Sequence, residues 1–184
     1  MDAITLLRAD HKTVRGLFTQ FGKLGDRAEK SKRELVDKII EELSIHASIE
    51  ETVFYPAIRK EVEDADDEVL ESLEEHHVAK WLLSELDGMD PGHERFDAKV
   101  TVLIESVKHH MTEEEEELFP TVRQALGRKR LQELGEQLEQ AKKIAPTRPH
   151  PRSPDEPPGN LAVAPAAGLA DKALRAVRGR RRAG

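Results

Sequence analysis

The sequence predicts an all-α protein: an up-down-up-down four-helix bundle, followed by an extra short helix and a disordered C-terminal tail. Three observations support this fold class. Apolar residues recur at alternating steps of three and four through most of residues 1–145, which is typical of helices with one buried stripe. Charged residues make up 35% of the chain and aromatic residues only 4%, which favours charged helices over a sandwich or barrel. Seven of the 10 prolines fall between Pro146 and Pro165, beyond the predicted bundle.

Four segments carry this apolar stripe. The first helix is predicted over about residues 4–21, where it meets two glycines, and the second begins at about Ser31, with Glu34 as its capping partner. The second helix is expected to end at Pro56. The third covers about residues 69–86 and stops at a turn-forming cluster, and the fourth runs from about residue 96 to Pro120. Short connections between long amphipathic helices make neighbours antiparallel.

A fifth helix and a tail follow the bundle. The stripe of Leu131, Leu134, Leu138 and Ala141 predicts a short helix on its outside. Residues 1–145 hold 33 acidic and 21 basic residues, a formal charge of −12, whereas residues 146–184 hold 3 and 8, a charge of +5. We therefore divide the chain into a bundle, residues 1–145, and a proline-rich linker with a basic tail, residues 146–184, predicted to be disordered. A short basic amphipathic helix from Leu169 onward is the alternative, and it suits an anionic partner.

Composition also excludes several classes of function. The chain has no cysteine, so it has no disulfide, no cysteine-ligated cluster and no thiol nucleophile, and nitrogen and oxygen must hold any metal. No apolar run is long enough to span a bilayer, and we expect a soluble, cytoplasmic protein. We expect no nucleic acid at the acidic bundle.

The strongest motif in the chain occurs twice. The segment from His46 to Pro56 and the segment from His110 to Pro120, 64 residues later, both have the pattern H-x3-E-E-x-x-apolar-aromatic-Pro. The preceding helices match as well, with Asp10-His11 in one and Glu75-His76 in the other. The bundle is therefore predicted to consist of two helical hairpins related by a pseudo-twofold axis.

Six polar residues lie on the apolar stripes, at positions where a bundle would have leucine or isoleucine. Carboxylates and imidazoles are tolerated in a core only when they are paired or bound to a metal. Four imidazoles and two carboxylates match zinc, manganese or iron by ligand type. Two bridging carboxylates would give a dinuclear site with open positions, which favours iron. The six residues are His11, His46, Glu50, His76, His110 and Glu114.

This set, with H-x3-E on the second and fourth helices, resembles the hemerythrin (HHE cation-binding) family over residues 1 to about 145. The resemblance implies a four-helix bundle with two iron ions joined by an oxo or hydroxo bridge. It also implies four terminal histidine ligands and two bridging glutamates, Glu50 and Glu114. Oxygen-carrying members have H-x3-H on the third helix and H-x4-D on the fourth, where this chain has Lys80 and the H-x3-E of Glu114. One histidine fewer leaves more positions open to water or peroxide.

We accordingly expect a di-iron protein that reacts with small oxidants. The favoured activity is decomposition of hydrogen peroxide, like a catalase, with reaction with nitric oxide or O2 as further possibilities. The alternative is a non-catalytic sensor or carrier of O2 or iron. A ferritin-like oxidase is rejected because it requires two Glu-x-x-His motifs, and only Glu74-x-x-His77 is present.

Five further residues are candidates for contacts around the ligands. Glu51 and Glu115 follow the bridging glutamates and are candidates to accept hydrogen bonds from ligand imidazoles. His77 and His109 are expected to face solvent or to lie behind the ligands. Tyr55 lies about half a helix turn from His46, so packing is its default role, although a helix break at Pro56 would re-aim its phenol.

Overall fold

The computed structural model describes residues 1–182, with side chains as far as residue 174. Helix α1 pairs with α2 and helix α4 with α5, and no strand occurs in residues 1–182, so the all-α class and the four-helix bundle are confirmed. Basic residues of the predicted tail from Arg175 onward lie outside the described side chains. The helices are α1 (Ala3–Phe21), α2 (Glu29–Ile49), α3 (Tyr55–Glu61), α4 (Asp66–Leu86), α5 (Phe96–Glu113), α6 (Phe119–Ala125), α7 (Arg128–Ile144) and α8 (Gly159–Arg182).

Local signals account for the helix ends in part. Asp2 caps α1, since its carboxylate accepts a hydrogen bond of 2.9 Å from the backbone N–H of Thr5. The chain leaves α4 through Gly88, whose φ of +81° favours glycine. The predicted N-cap at Ser31 is wrong, because α2 already begins at Glu29. The helical hairpins therefore begin and end close to the positions that the sequence indicates.

Two π-helical segments extend the second and fourth helices of the bundle. Residues Glu50–Phe54 join α2 to α3, and residues Glu114–Leu118 join α5 to α6. The prediction that these helices end at Pro56 and Pro120 is wrong, because each proline lies in the first turn of the next α-helix, where its missing N–H is not needed. Each motif thus spans an α-helix, a π-turn and a second α-helix.

The interior of the bundle has two apolar cores with the six polar residues between them. One core, near the chain's first turn, includes Leu7, Phe54 and Phe119, and the other includes Phe18, Phe96 and Leu103. All six polar residues are buried, with at most 5% of each exposed. The two cores fix the helices on both sides of the polar layer and keep bulk water away from it.

The fifth predicted helix is α7, and its leucines are buried against the first hairpin and the π-helical segment after α2. Residues 145–158 then lead to α8, where Asn160 donates a buried 2.8 Å hydrogen bond to the backbone oxygen of Glu51. Asp171 accepts from the backbone N–H groups of Thr147 and Arg148. This segment follows the helical alternative, and its disorder in solution stays a prediction. No described helix has the length and apolarity needed to cross a bilayer.

Candidate metal centre

Each of the four long helices contributes one histidine to the polar layer. His11 comes from α1, His46 from α2, His76 from α4 and His110 from α5. The histidines form two pairs: the Nε2 atoms of His11 and His46 are 3.1 Å apart, and those of His76 and His110 are also 3.1 Å apart. The pseudo-twofold symmetry predicted from the repeat is therefore visible in the geometry of the site.

Glu50 lies between the two histidine pairs. Its Oε2 atom is 3.2 Å from Nε2 of His46, in the first pair, and 3.4 Å from Nε2 of His76, in the second. Neither of its oxygens has a hydrogen-bond partner among the described residues. A buried carboxylate without a partner is costly, so Glu50 has the environment of a metal ligand.

Glu114 spans the pairs from the opposite side. Its Oε2 atom lies 3.2 Å from Nε2 of His11 and 3.5 Å from Nε2 of His110. Each glutamate is the first residue of a π-helical segment, one turn beyond the histidine of its own H-x3-E motif. The structure thus brings together all six residues that the sequence singled out.

The spacing of these atoms fits a metal pair. Two ligand atoms that bind one ion at about 2.1 Å each lie about 3.0–3.4 Å apart, for bond angles between octahedral and tetrahedral values. The distances between histidine and glutamate atoms above are 3.1–3.5 Å. The two sets His11, His46, Glu50, Glu114 and Glu50, His76, His110 each have the donors to hold one ion. Their roles as ligands stay predictions.

Glu51 and Glu115 occupy the positions expected for partners of the imidazoles. Oε1 of Glu115 lies 2.8 Å from Nδ1 of His11, and Oε1 of Glu51 lies 2.9 Å from Nδ1 of His76. A carboxylate at Nδ1 holds the proton there and leaves the lone pair of Nε2 directed into the site. Both carboxylates reach across the bundle to a histidine of the other hairpin.

Two further carboxylates, Glu75 and Asp10, lie beside the Nδ1 atoms of the remaining histidines, and neither contact is among those predicted from the sequence. Glu75 accepts a hydrogen bond of 2.8 Å from Nδ1 of His110, and Asp10 lies 3.7 Å from Nδ1 of His46, beyond hydrogen-bond distance. The available signal was the repeat itself, because each acid directly precedes a ligand histidine, in Asp10-His11 and Glu75-His76. Each acid nevertheless contacts the histidine of the adjacent helix.

Lys80 forms an ion pair with Glu51, and Arg15 forms the equivalent ion pair in the other hairpin. The Lys80 ammonium lies 2.6 Å from the Glu51 carboxylate, and Arg15 Nη1 lies 2.7 Å from Oε1 of Glu115. Each cation lies four residues after a ligand histidine. Lys80 thus orients a carboxylate that contacts His76.

Tyr55 has a polar contact in the site in addition to its packing role. Its hydroxyl donates a hydrogen bond of 2.9 Å to Oε1 of Glu114 and lies 3.4 Å from Nε2 of His76. In an α-helix, its position nine residues after His46 would face the opposite side. A π-helix turns by roughly 80° per residue instead of 100°, so the π-helical segment rotates Tyr55 towards the site without a helix break at Pro56.

His77 and His109 both lie outside the buried layer, as expected. His77 accepts a hydrogen bond of 3.1 Å from the indole of Trp81 on the surface of α4. The His109 side chain is 65% exposed, and its Nε2 lies 3.2 Å from Glu113. Neither residue contacts the six central side chains through a hydrogen bond or ion pair in the described part of the chain.

The histidines differ in how readily they take up a proton. Burial lowers the pKa of His46 to about 4 and also lowers the pKa of His76. Burial disfavours charge on His110 as well, but Glu114 and Glu75 outweigh it, so the pKa of His110 is raised. Burial therefore favours the neutral, metal-binding form of the imidazole at His46 and His76.

The pKa values of the two central carboxyl groups shift in opposite directions. Burial and repulsion by Glu114 raise the pKa of Glu50 well above its usual value. Burial acts on Glu114 too, but attraction by His110 and His11 outweighs it and lowers the pKa of Glu114. The protonated form is therefore favoured at Glu50 and the ionised form at Glu114, and a cation that binds Glu50 competes with a proton there.

The fold and the site together define a helical-bundle protein with a buried histidine–glutamate cation site. The sequence model of the hemerythrin HHE cation-binding domain matches residues 2–122. The chain therefore belongs to the hemerythrin HHE cation-binding family, as its resemblance implied.

Two known proteins are similar to the chain in sequence. A hemerythrin-like protein of Schizosaccharomyces pombe is 29% identical over 123 residues, which is 66% of this chain and 61% of that protein. A DNA nickase of Nostoc sp. is 28% identical over 142 residues, 77% of this chain and 39% of the relative. The chain thus spans less than two thirds of either protein.

A crystal structure of a hemerythrin HHE cation-binding domain-containing protein from Mycobacterium kansasii has the same fold. It matches with a TM-score of 0.66 and 24% identity, covering 78% of this chain and 88% of the other.

Proposed function

We propose that the central layer holds two iron ions and that the protein decomposes hydrogen peroxide, with nitric oxide and O2 as further reactants. His11 and His46 are assigned to one ion, His76 and His110 to the other, and Glu50 and Glu114 to both. When bound, the iron pair supplies the two-electron redox chemistry that peroxide decomposition requires. The bundle is a cation-binding domain by family; the choice of iron rests on the donor set and on the positions that Lys80 leaves open.

One observation carries this proposal: the Nε2 atoms of all four histidines face each other across the layer, in two pairs 3.1 Å apart. Where a carboxylate accepts the proton of Nδ1, as at His11, His76 and His110, the neutral imidazole presents the lone pair of Nε2 to the layer. Two lone pairs 3.1 Å apart repel each other unless a proton or a metal cation lies between them.

The surrounding residues have defined roles in such a reaction. Tyr55 directs a hydroxyl proton at Glu114 and lies next to His76, so it fixes the orientation of the carboxylate and offers a proton at Oη. Phe54 and Phe119 pack below the layer and exclude water from that side. A cleft of about 300 Å³ on the side of the bundle is lined by Tyr55 and Glu51, whose side chains contact Glu114 and His76 in the layer.

A non-catalytic sensor or carrier of O2 or iron is the second candidate. It is favoured by the contact between Asn160 of α8 and the backbone of Glu51, which links the C-terminal helix to the residue after Glu50. The nickase activity named for the Nostoc relative does not enter the proposal, because the acidic bundle would repel a nucleic acid and the match covers 39% of that protein.

Metal analysis and peroxide turnover test the proposal. We expect about two irons per chain by elemental analysis and consumption of many equivalents of peroxide per iron. Glu50→Ala and Glu114→Ala should lose iron and activity together, whereas His77→Ala, a surface variant, should keep both. One equivalent of peroxide consumed per iron would support the sensor. A protein that binds zinc firmly and takes up no iron would contradict both functions.

A further inference from the structure

A third cluster of metal-binding side chains lies on the outer face of the bundle. It consists of Glu75 on α4 and His109 and Glu113 on α5, with donor atoms that all lie within 4.8 Å of one another. Nε2 of His109 is 3.2 Å from Oε1 of Glu113 and 3.9 Å from Oε1 of Glu75. Two ligands at about 2.1 Å from one ion in tetrahedral geometry are about 3.4 Å apart, so small side-chain rotations suffice.

We propose that Glu75, His109 and Glu113 form a surface site for a divalent transition-metal cation, separate from the central layer. One imidazole and two carboxylates suit zinc, manganese or ferrous iron, and three protein ligands leave positions for water. The His109 side chain is 65% exposed and the Glu113 side chain 38%, so the site exchanges its ion with solvent.

The charges around the central layer independently favour a cation beside Glu75. Three of the four carboxylates beside the ligand histidines are each neutralised by a basic side chain at 2.5–2.7 Å. The pairs are Glu115 with Arg15, Glu51 with Lys80, and Asp10 with Lys142. Among the side chains that the structure describes, no lysine or arginine forms an ion pair with the fourth, Glu75; its partners are His109 and His110.

The pseudo-twofold symmetry shows why this position differs. Asp10 and Glu75 are equivalent, since each directly precedes a ligand histidine on the first helix of its hairpin. The ammonium that neutralises Asp10 comes from Lys142 on α7, which packs against the first hairpin. At the equivalent place on the second hairpin, Glu75 meets His109 and the further negative charge of Glu113. A cation from solvent would take the role there that Lys142 has beside Asp10.

The outer site is joined to the central layer by one residue. Glu75 accepts a hydrogen bond from Nδ1 of His110 through Oε2, while Oε1 faces His109. An ion at the outer site would therefore bind the same carboxylate, Glu75, that accepts a hydrogen bond from His110, a residue assigned to the inner pair of ions. Its existence does not depend on whether the inner pair turns over peroxide.

The test is a titration of the full-length, iron-loaded protein with Mn2+, followed by the electron paramagnetic resonance signal of free Mn2+. We expect one Mn2+ per chain beyond the metal already present. His109→Ala and Glu113→Gln should weaken this binding at least about 10-fold, since each removes one of three ligands. His77→Ala is the matched control, because His77 is a surface histidine of α4 held by Trp81, and its titration should equal that of the unchanged protein.

The proposal would be overturned if the unchanged protein bound no additional Mn2+, or if His109→Ala bound Mn2+ as the unchanged protein does. Glu114→Ala separates the two sites, because it should lose the inner iron and keep the Mn2+ binding that depends on His109. Should the His109-dependent binding vanish in Glu114→Ala, the Mn2+ belongs to the central layer and the outer site is refuted.

Discussion

Replacing Tyr55 by phenylalanine removes one oxygen atom from the centre of the bundle. The Tyr55 ring is 1% exposed, and its hydroxyl donates a 2.9 Å hydrogen bond to Oε1 of Glu114. Phe119 occupies the equivalent place in the repeat and packs there without a hydroxyl, so the shape of the core accommodates the change. A hydrogen bond to a charged group contributes about 1.5–3 kcal/mol.

We therefore expect Tyr55→Phe to lower the free energy of unfolding of the metal-free protein by about 2 kcal/mol. For a chain of this size the melting temperature should fall by about 4–8 °C, measured by circular dichroism. Trp81→Phe is the control, because it removes an exposed hydrogen bond and should change stability by less than about 0.5 kcal/mol. Equal melting temperatures for Tyr55→Phe and the unchanged protein would refute the reasoning.

Three further predictions concern other parts of the molecule. Gly135→Ala should destabilise the protein by about 1–3 kcal/mol, since its methyl group would collide with the Met1 carbonyl. Gly16→Ala, whose methyl group would meet no other atom, should stabilise the protein by about 0.5–1 kcal/mol. Denaturant titration of both variants measures these changes in the free energy of unfolding. In the metal-free protein, the His46 resonance should titrate near pH 4 by NMR, not near 6.5. Because the unfolded chain binds that proton first, the contribution of His46 to stability is lost as the pH falls from about 6.5 to about 4. Ending the chain at residue 145 should lower the melting temperature by a few degrees, since it removes the buried Asn160 hydrogen bond, worth about 1 kcal/mol; an unchanged value would support the disordered tail.

The fold could be predicted from the apolar periodicity of the helices, and the six central residues could be predicted because they are polar residues at apolar positions of that pattern. Apolar periodicity fixes which face of a helix is buried, and a histidine or glutamate on that face is conspicuous. The 64-residue repeat then relates His46 and Glu50 to His110 and Glu114, so two independent signals identify these four residues. The apolar periodicity and the repeated H-x3-E motif are both patterns of spacing along the chain, so they can be read from the sequence without knowledge of how the helices pack.

The π-helical segments could not be predicted, because a π-turn differs from an α-turn by one residue of winding and needs no distinctive residue types. Its effect is nevertheless large, since it decides which way Tyr55 and Phe119 point. An uninterrupted α-helix would place Tyr55 on the far face from His46. The packing role expected for Tyr55 was therefore incomplete: the hydroxyl contacts Glu114.

The carboxylates and cations around the histidines depend on contacts between helices. Glu51 and Glu115 were found because they follow the bridging residues, but Asp10 and Glu75 serve histidines on adjacent helices. The sequence marks Lys80 only by its place four residues after His76 and does not indicate its partner. Its contact with Glu51 depends on the relative register of α2 and α4, and the sequence of neither helix specifies that register.

The repeat also predicts more symmetry than the structure has. Tyr55 and Phe119 occupy equivalent positions, as do Lys80 and Arg15. Lys142 neutralises Asp10, whereas no lysine or arginine among the described side chains forms an ion pair with Glu75. Each difference changes the charge or the hydrogen bonding beside one histidine pair and leaves the geometry of the ligands intact. Two ions in this layer would consequently experience different electrostatic fields, because the six ligand residues follow the repeat whereas the charged and hydrogen-bonding residues around them do not.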